Sequence, residues 1–292
     1  MRTILPLLLL ACRPVEATDL PICPAQLVAA DQAAEADTRQ LPADVWLAIL
    51  VPGFDRTTRT IPDAPKDCAR TPLVPPDHTL PARPLTDDDL AFGTGAQTPD
   101  AAPELLVWAK LLKTEEGRAY GPVALIRWSA RGLEVRGIGA LHAPARRVRL
   151  HLEPLADDQH LLVAEGETCP QDHPPPCPRE AVLMPLRAQR FEPFELVEGT
   201  RPPRDARLLL DERHDFTGPT GTPRRLEIHR RLDLRSATPE IRATIRLRDC
   251  PRDCTDSLAL DDSRPLELID HTWVAPEDPW LALLATHTNP GP

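Results

Sequence analysis

Apolar and polar residues alternate along much of the second half of the chain. In residues 146–154, Val148, Leu150 and Leu152 alternate with Arg149, His151 and Glu153, the period-two signature of a half-buried strand. Pairing Leu152 with Leu161 of the next run sets Leu150 against Val163 on one face. On the other face it sets Glu153 against His160 and His151 against Leu162, with the turn at residues 155–159. A second hairpin spans residues 225–248. Leu226, Ile228, Leu232 and Leu234 share one parity, as do Ile241, Ala243, Ile245 and Leu247. Pairing Leu234 with Ile241 puts Asp233 opposite Arg242 and Glu227 opposite Arg248; such charge pairs contribute roughly 0.2–1 kcal/mol each. Arg230 lands on the apolar face, which predicts a bulge near Arg230 and Arg231.

Other runs read the same way. Residues 105–113 and 122–128 flank a polar turn and predict a hairpin, although Leu105, Trp108, Ala109 and Leu112 also fit a helical face. Strands are expected at 133–141, 206–216 and 266–274, and one or two at 181–199, where Pro185 and Pro193 indicate edges or bulges. The apolar run 45–51, stopped by Pro52 and Gly53, predicts a buried strand. Residues 24–37 are Ala-rich and suit a short helix, and 280–287 fits either type. Residues 55–103 carry recurrent prolines and no sustained period, which suits extended chain. Asp87, Asp88 and Asp89 lie within this stretch and read as a solvated loop, without the spacing of a calcium-binding loop.

Short strands with frequent turn signals predict a mainly β protein: antiparallel β-sandwich or barrel-like sheets, possibly two β subdomains, after a Pro-rich N-terminal segment. The strand–helix alternation of a parallel sheet is missing. The expected divisions are 1–11 as signal peptide, 12–103 as the irregular segment, 104–200 as a first β region, and 201–292 as a second that can equally join the first.

The formal net charge is −10 and no basic block occurs, so no nucleic-acid partner is expected. The excess of Arg over Lys, which occurs only at 66, 110 and 113, reads as composition bias.

The first twelve residues, MRTILPLLLLAC, combine a basic residue, an apolar run and a small residue before Cys12, the layout of a secretory signal. Their LLAC ending resembles the lipobox of bacterial lipoproteins. The resemblance implies cleavage before Cys12, acylation of its sulfur and amine, and a membrane partner reached through the lipid. With Arg13 following, it favours the outer membrane. An ordinary cleaved signal with an unlipidated cysteine is the alternative. The apolar run is well short of the roughly 20 residues that span a bilayer.

With Cys12 set aside, six cysteines remain: Cys23, Cys68, Cys169, Cys177, Cys250 and Cys254. Export favours disulfides, and proximity favours 23–68, 169–177 and 250–254, contributing roughly 4, 2.5 and 2 kcal/mol in the chain-entropy view. His173 between Cys169 and Cys177 raises a zinc reading. Neither close pair has C-x2-C spacing, so no metal and no cofactor is assigned.

No nucleophile elbow, phosphate loop or H-E-x-x-H motif occurs, and no catalytic residue is assigned. The strand pairing above gathers His151, Glu153 and His160 into a polar cluster suited to a divalent metal or acid–base chemistry; the plainer reading is three solvated side chains. His214, between acids in residues 211–215, is a weaker candidate. The expected function is a cell-envelope lipoprotein acting as a binding, scaffold or accessory module toward an envelope protein or glycan. The alternative is an extracytoplasmic hydrolase whose carboxylates converge only in the fold.

Overall fold

Small and branched apolar residues at alternate positions curl the middle of the chain into a closed ring of strands. The computed structural model describes residues 22–23, 27–28, 41–95, 104–129, 132–155, 159–170, 176–199, 203–218, 220–235, 238–270, 272–278 and 280. The signal stretch with Cys12, the expected helix at 24–37 apart from Leu27 and Val28, His173, and residues 281–292 lie outside them.

The first elements are β1 (Leu27–Val28), α1 (Ala43–Leu50), a 3-10 turn (Asp87–Asp89), β2 (Leu90–Thr94), β3 (Glu104–Ala109), β4 (Leu112–Lys113), β5 (Arg118–Ser129), β6 (Gly132–Pro144), β7 (Arg146–Pro154), β8 (His160–Glu167), β9 (Arg179–Arg187) and β10 (Arg190–Phe191). Eight of these strands close a barrel in the order β6-β10-β9-β8-β7-β2-β3-β5, with β5 pairing back to β6. Alternate residues point inward: Leu106, Trp108, Val123, Leu125, Leu141, Leu152, Leu162, Met184 and Phe191 fill the interior. The ring closes at two short parallel seams, β2 with β7 and β10 with β6. At the first, a Cβ on Gly93 would lie 2.2 Å from the Leu150 carbonyl oxygen, so only glycine lets the two backbones meet.

The barrel's outer face is also apolar and is covered twice. Residues 41–90 form one cover. Leu47, Leu50, Phe54, Leu73, Val74 and Leu85 pack on Val107, Ile126, Val135 and Ile138. This Pro-rich segment is therefore a packed layer, and its end, β2, is a barrel strand. Residues 45–51, expected as a strand, lie mostly in α1, where Trp46, Leu47 and Leu50 share the buried face. Periodicity cannot separate the two in so short a run, and leucine and alanine favour helix. Asp89 is buried rather than solvated. Arg83 and Lys113 pair with it at 2.8 and 2.9 Å, and the Thr86 N–H donates to it. Burial opposes its charge, but these bonds hold its carboxyl well below the usual range.

The second cover comes from the C-terminal half: β11 (Glu195–Glu198), β12 (Arg204–Asp205), β13 (Arg207–Leu209), β14 (Asp211–Thr217), β15 (Pro223–Asp233), β16 (Glu240–Asp249), β17 (Thr255–Pro265), β18 (Glu267–Ile269) and β19 (Thr272–Ala275). A small sheet ordered β12-β11-β19-β18 packs Leu196, Trp273 and Ala275 on the outward Leu161, Val163, Ala181 and Leu183. A separate antiparallel sheet follows in the order β14-β15-β16-β17. Its apolar face carries Leu226, Ile228, Ala243, Ile245 and Leu247, with Trp280 packed against it. The stretch 266–274, expected as one strand, is a hairpin of β18 and β19.

Pro185 sits inside β9 without breaking it. Leu183, two residues earlier, donates its N–H to Ala206 on the side away from β8. Pro185 shares that orientation and falls in the gap between the partners β13 and β10.

Candidate functional site

Two disulfides close as expected, Cys169–Cys177 and Cys250–Cys254. The first has Arg146 Nη1 3.0 Å from Cys169 Sγ. The expected third bridge is not closed. Cys23 and Cys68 are thiols brought together by the Ile22–Asp67 bridge. Burial, and then a hydrogen bond with the Cys68 thiol, push Cys23 up to about 11.

The cluster expected at His151, Glu153 and His160 is split. The register is Leu152 with Leu162, Glu153 with Leu161 and Pro154 with His160, one residue away from that expected. A slip of one reverses the facing of the partner strand, so His160 lies on the opposite face from Glu153. Likewise Leu150 meets Ala164, and not Val163. His151 and Glu153 stay together, 3.6 Å apart, in a cavity of about 110 Å³. Arg235 binds both carboxylate oxygens of Glu153 at 3.0 and 3.2 Å. Burial lowers the pKa of His151. This pair is a contact between the barrel and the β15–β16 turn. Among the described residues no group of three or more His, Cys, Asp or Glu is placed to hold a metal ion.

The expected hairpin is β15 with β16, in a register two residues from that expected: Leu232 opposes Ile241, and Arg231 opposes Arg242. A slip of two preserves the faces. The expected charge pairs therefore form diagonally, Arg242 to Asp233 at 2.9 Å and Arg248 to Glu227 at 3.3 Å. Pairing is regular through Arg230, without the expected bulge. Arg230 stays on the apolar face, bonded to Asp278 at 2.6 Å and to Glu212.

The outer face of this sheet is mostly polar. One row across its four strands reads Asp211, His229, Thr244, Asp261. Asp211 Oδ1 lies 2.8 Å from His229 Nδ1, and Thr244 donates its hydroxyl to Asp261 at 2.8 Å. In the neutral tautomer whose Nδ1–H donates to this carboxylate, Nε2 is an acceptor. The next row is Arg231, Arg242, Ser263, in which Ser263 donates to Glu240 and Arg242 pairs with the same carboxylate. Among the described residues Arg231 has no ion-pair partner. A groove of about 710 Å³ runs over these rows, bounded on the barrel side by Arg179. A second, of about 690 Å³, lies against Pro176, Leu209 and His214. Asp211 and His229 line both. His214, between Glu212 and Asp215 in sequence, faces the Leu226 side and sits 3.2 Å from Glu212. His229 was missed in the sequence because it is one more outward polar residue; the signal is its register opposite Asp211.

A second cluster lies outside the barrel. Tyr120 stacks on His142 with centroids 3.5 Å apart, and Arg207 donates to His142 Nδ1 at 2.7 Å. Burial, then the charges of Arg207 and Arg118, press the His142 pKa down to about 3, so the ring is neutral. Trp108 opposes Val123 and points into the barrel, while Trp128 packs outside.

No protein-family model matches this chain, no curated protein matches its sequence, and no solved structure matches its fold. No helix among the described residues is long and apolar enough to cross a membrane.

Proposed function

We propose that the chain is an extracytoplasmic envelope protein, anchored by lipid on Cys12 with the outer membrane favoured, whose folded part is a binding module for an envelope protein or glycan. The groove of about 710 Å³ on the outer face of β14–β17 carries the binding reading. Its hydroxyls are committed to carboxylates and most of its charges to neighbours, so it offers a fixed array of donors and acceptors to a polar partner. The barrel interior is filled by side chains, which leaves the outer surface for recognition. The lipobox-like stretch supports the anchor, and two disulfides suit an oxidising compartment.

The Asp211–His229 pair favours a second reading, a hydrolase in which His229 takes a proton from water. A photo-crosslinking residue at Thr244 in cells tests the first. The binding module predicts a discrete adduct there and none from the same residue at the exposed Thr57 on the N-terminal layer. No adduct at Thr244, together with ester or glycoside cleavage lost in His229→Gln, would replace the module with the hydrolase.

A further inference from the structure

The groove's far wall is β17, and among the described residues β17 is an open edge. Among them it pairs only with β16 and extends over Thr255–Pro265, exposed at most positions on both faces. A long edge presents unpaired backbone donors and acceptors that another strand can take up. Two features distinguish this edge from a merely solvated one. The apolar rows of the sheet run out to it: Leu226, Leu247, Leu258 form one and Ile228, Ile245, Leu260 the next. Leu260 ends its row 40% exposed. The charge on the strand is also one-sided. Asp256, Asp261 and Asp262 are its acids, Asp256 being bonded to Arg248 at 2.7 Å on the neighbouring strand, and its one base, Arg264, is buried against Glu198 and Asp278 and lies 3.6 Å from Asp262.

We propose that β17 is a docking edge. An extended segment of a partner protein adds to it as a fifth strand, with apolar residues at alternate positions beside Leu258 and Leu260 and Lys or Arg between them. Backbone pairing supplies the affinity in this mode of recognition, and the alternating side chains supply the selectivity. Charge argues against a second copy as the occupant. The β17 of a second copy would bring the same acids and no exposed base to this edge, and like charges brought together repel. A basic alternating strand meets the same edge without that repulsion.

The inference rests on the binding-module reading and names the partner's chemistry. The test uses the full chain and a short synthetic peptide alternating valine with lysine. The control is an isomer of the same composition with its valines consecutive. Hydrogen exchange of the chain is followed with each. The expected result is slowing of about tenfold or more at the amides of residues 255–265 with the alternating peptide only, with affinity falling about tenfold in Asp261→Arg and in Leu260→Lys. Equal binding of the isomer, or binding that leaves those amides unchanged, would overturn it. So would protection of β17 that grows with protein concentration without peptide, which would make a second copy the occupant. No binding by either peptide also overturns the edge, while an adduct at Thr244 would keep the module itself.

Discussion

Arg230 Nη2 donates to Asp278 Oδ2 at 2.6 Å from the apolar face of the β14–β17 sheet. Glu212 binds the same guanidinium, and Asp278 also lies 3.5 Å from the buried Arg264, which reaches Glu198 at 3.6 Å. These charges join the β14–β17 sheet to the small sheet, because Glu198 belongs to β11 and Asp278 follows β19. A buried pair is costly to break, since truncating one partner strands the other.

Asp278→Leu should therefore cost about 3–5 kcal/mol of stability. Adding Arg230→Leu should recover part of that loss by removing one stranded charge. Urea unfolding of both singles and the double measures it; additive losses would mean the pair is not coupled.

The seam between β2 and β7 depends on Gly93, where a Cβ would meet the Leu150 carbonyl at 2.2 Å. Gly93→Val should destabilise by about 2 kcal/mol or more, because the obstacle is backbone. Ala140→Val, at an exposed barrel position, should change stability by less than about 0.5 kcal/mol. Thermal or urea midpoints compare the two.

His142 couples stability to pH. Its folded pKa is lowered from 6.5 to about 3, so the unfolded chain binds the proton more readily between those values. Its contribution is fully present above pH 6.5 and is lost as pH falls toward 3, at up to about 1.4 kcal/mol per pH unit. His142→Gln should flatten the slope of unfolding free energy against pH in that window. An unchanged slope would show the ring titrating normally.

The Cys169–Cys177 bridge should contribute about 2.5 kcal/mol, read as the loss in a Cys169→Ser, Cys177→Ser double variant. Cys23 and Cys68 face each other as thiols. In an oxidising envelope they should join, each losing a proton and together passing two electrons to a disulfide oxidoreductase. Peptide mapping without reductant detects the link; free thiols at both positions would contradict it.

How much of this was legible in the sequence follows from the physics of each signal. The parity of Leu226, Ile228, Ile245 and Leu247 gave the hairpin's apolar face, because alternation reports facing directly. It could not give the register, which the turn also sets, so Arg231 opposes Arg242 and the expected ion pairs run diagonally. The same error by a single residue between Leu152 and Leu161 divided His151 and Glu153 from His160. Barrel closure was not visible, because its seams are one or two residue pairs long and β2 ends a proline-rich stretch. β17 was missed because exposure on both faces removes the alternation that marks a strand. The Asp211–His229 pair needed the β14–β15 register, which no local pattern carries.

Display of this fold on a membrane through lipid on Cys12 is the proposal on which the rest of the functional reading depends. Labelling cells with an alkyne fatty acid, with wild type and Cys12→Ser compared in membrane and soluble fractions, tests it most directly. The expected result is a labelled, membrane-bound wild type and an unlabelled, released variant. Equal labelling of both, or a wild-type chain unlabelled and recovered from the soluble fraction, would contradict it.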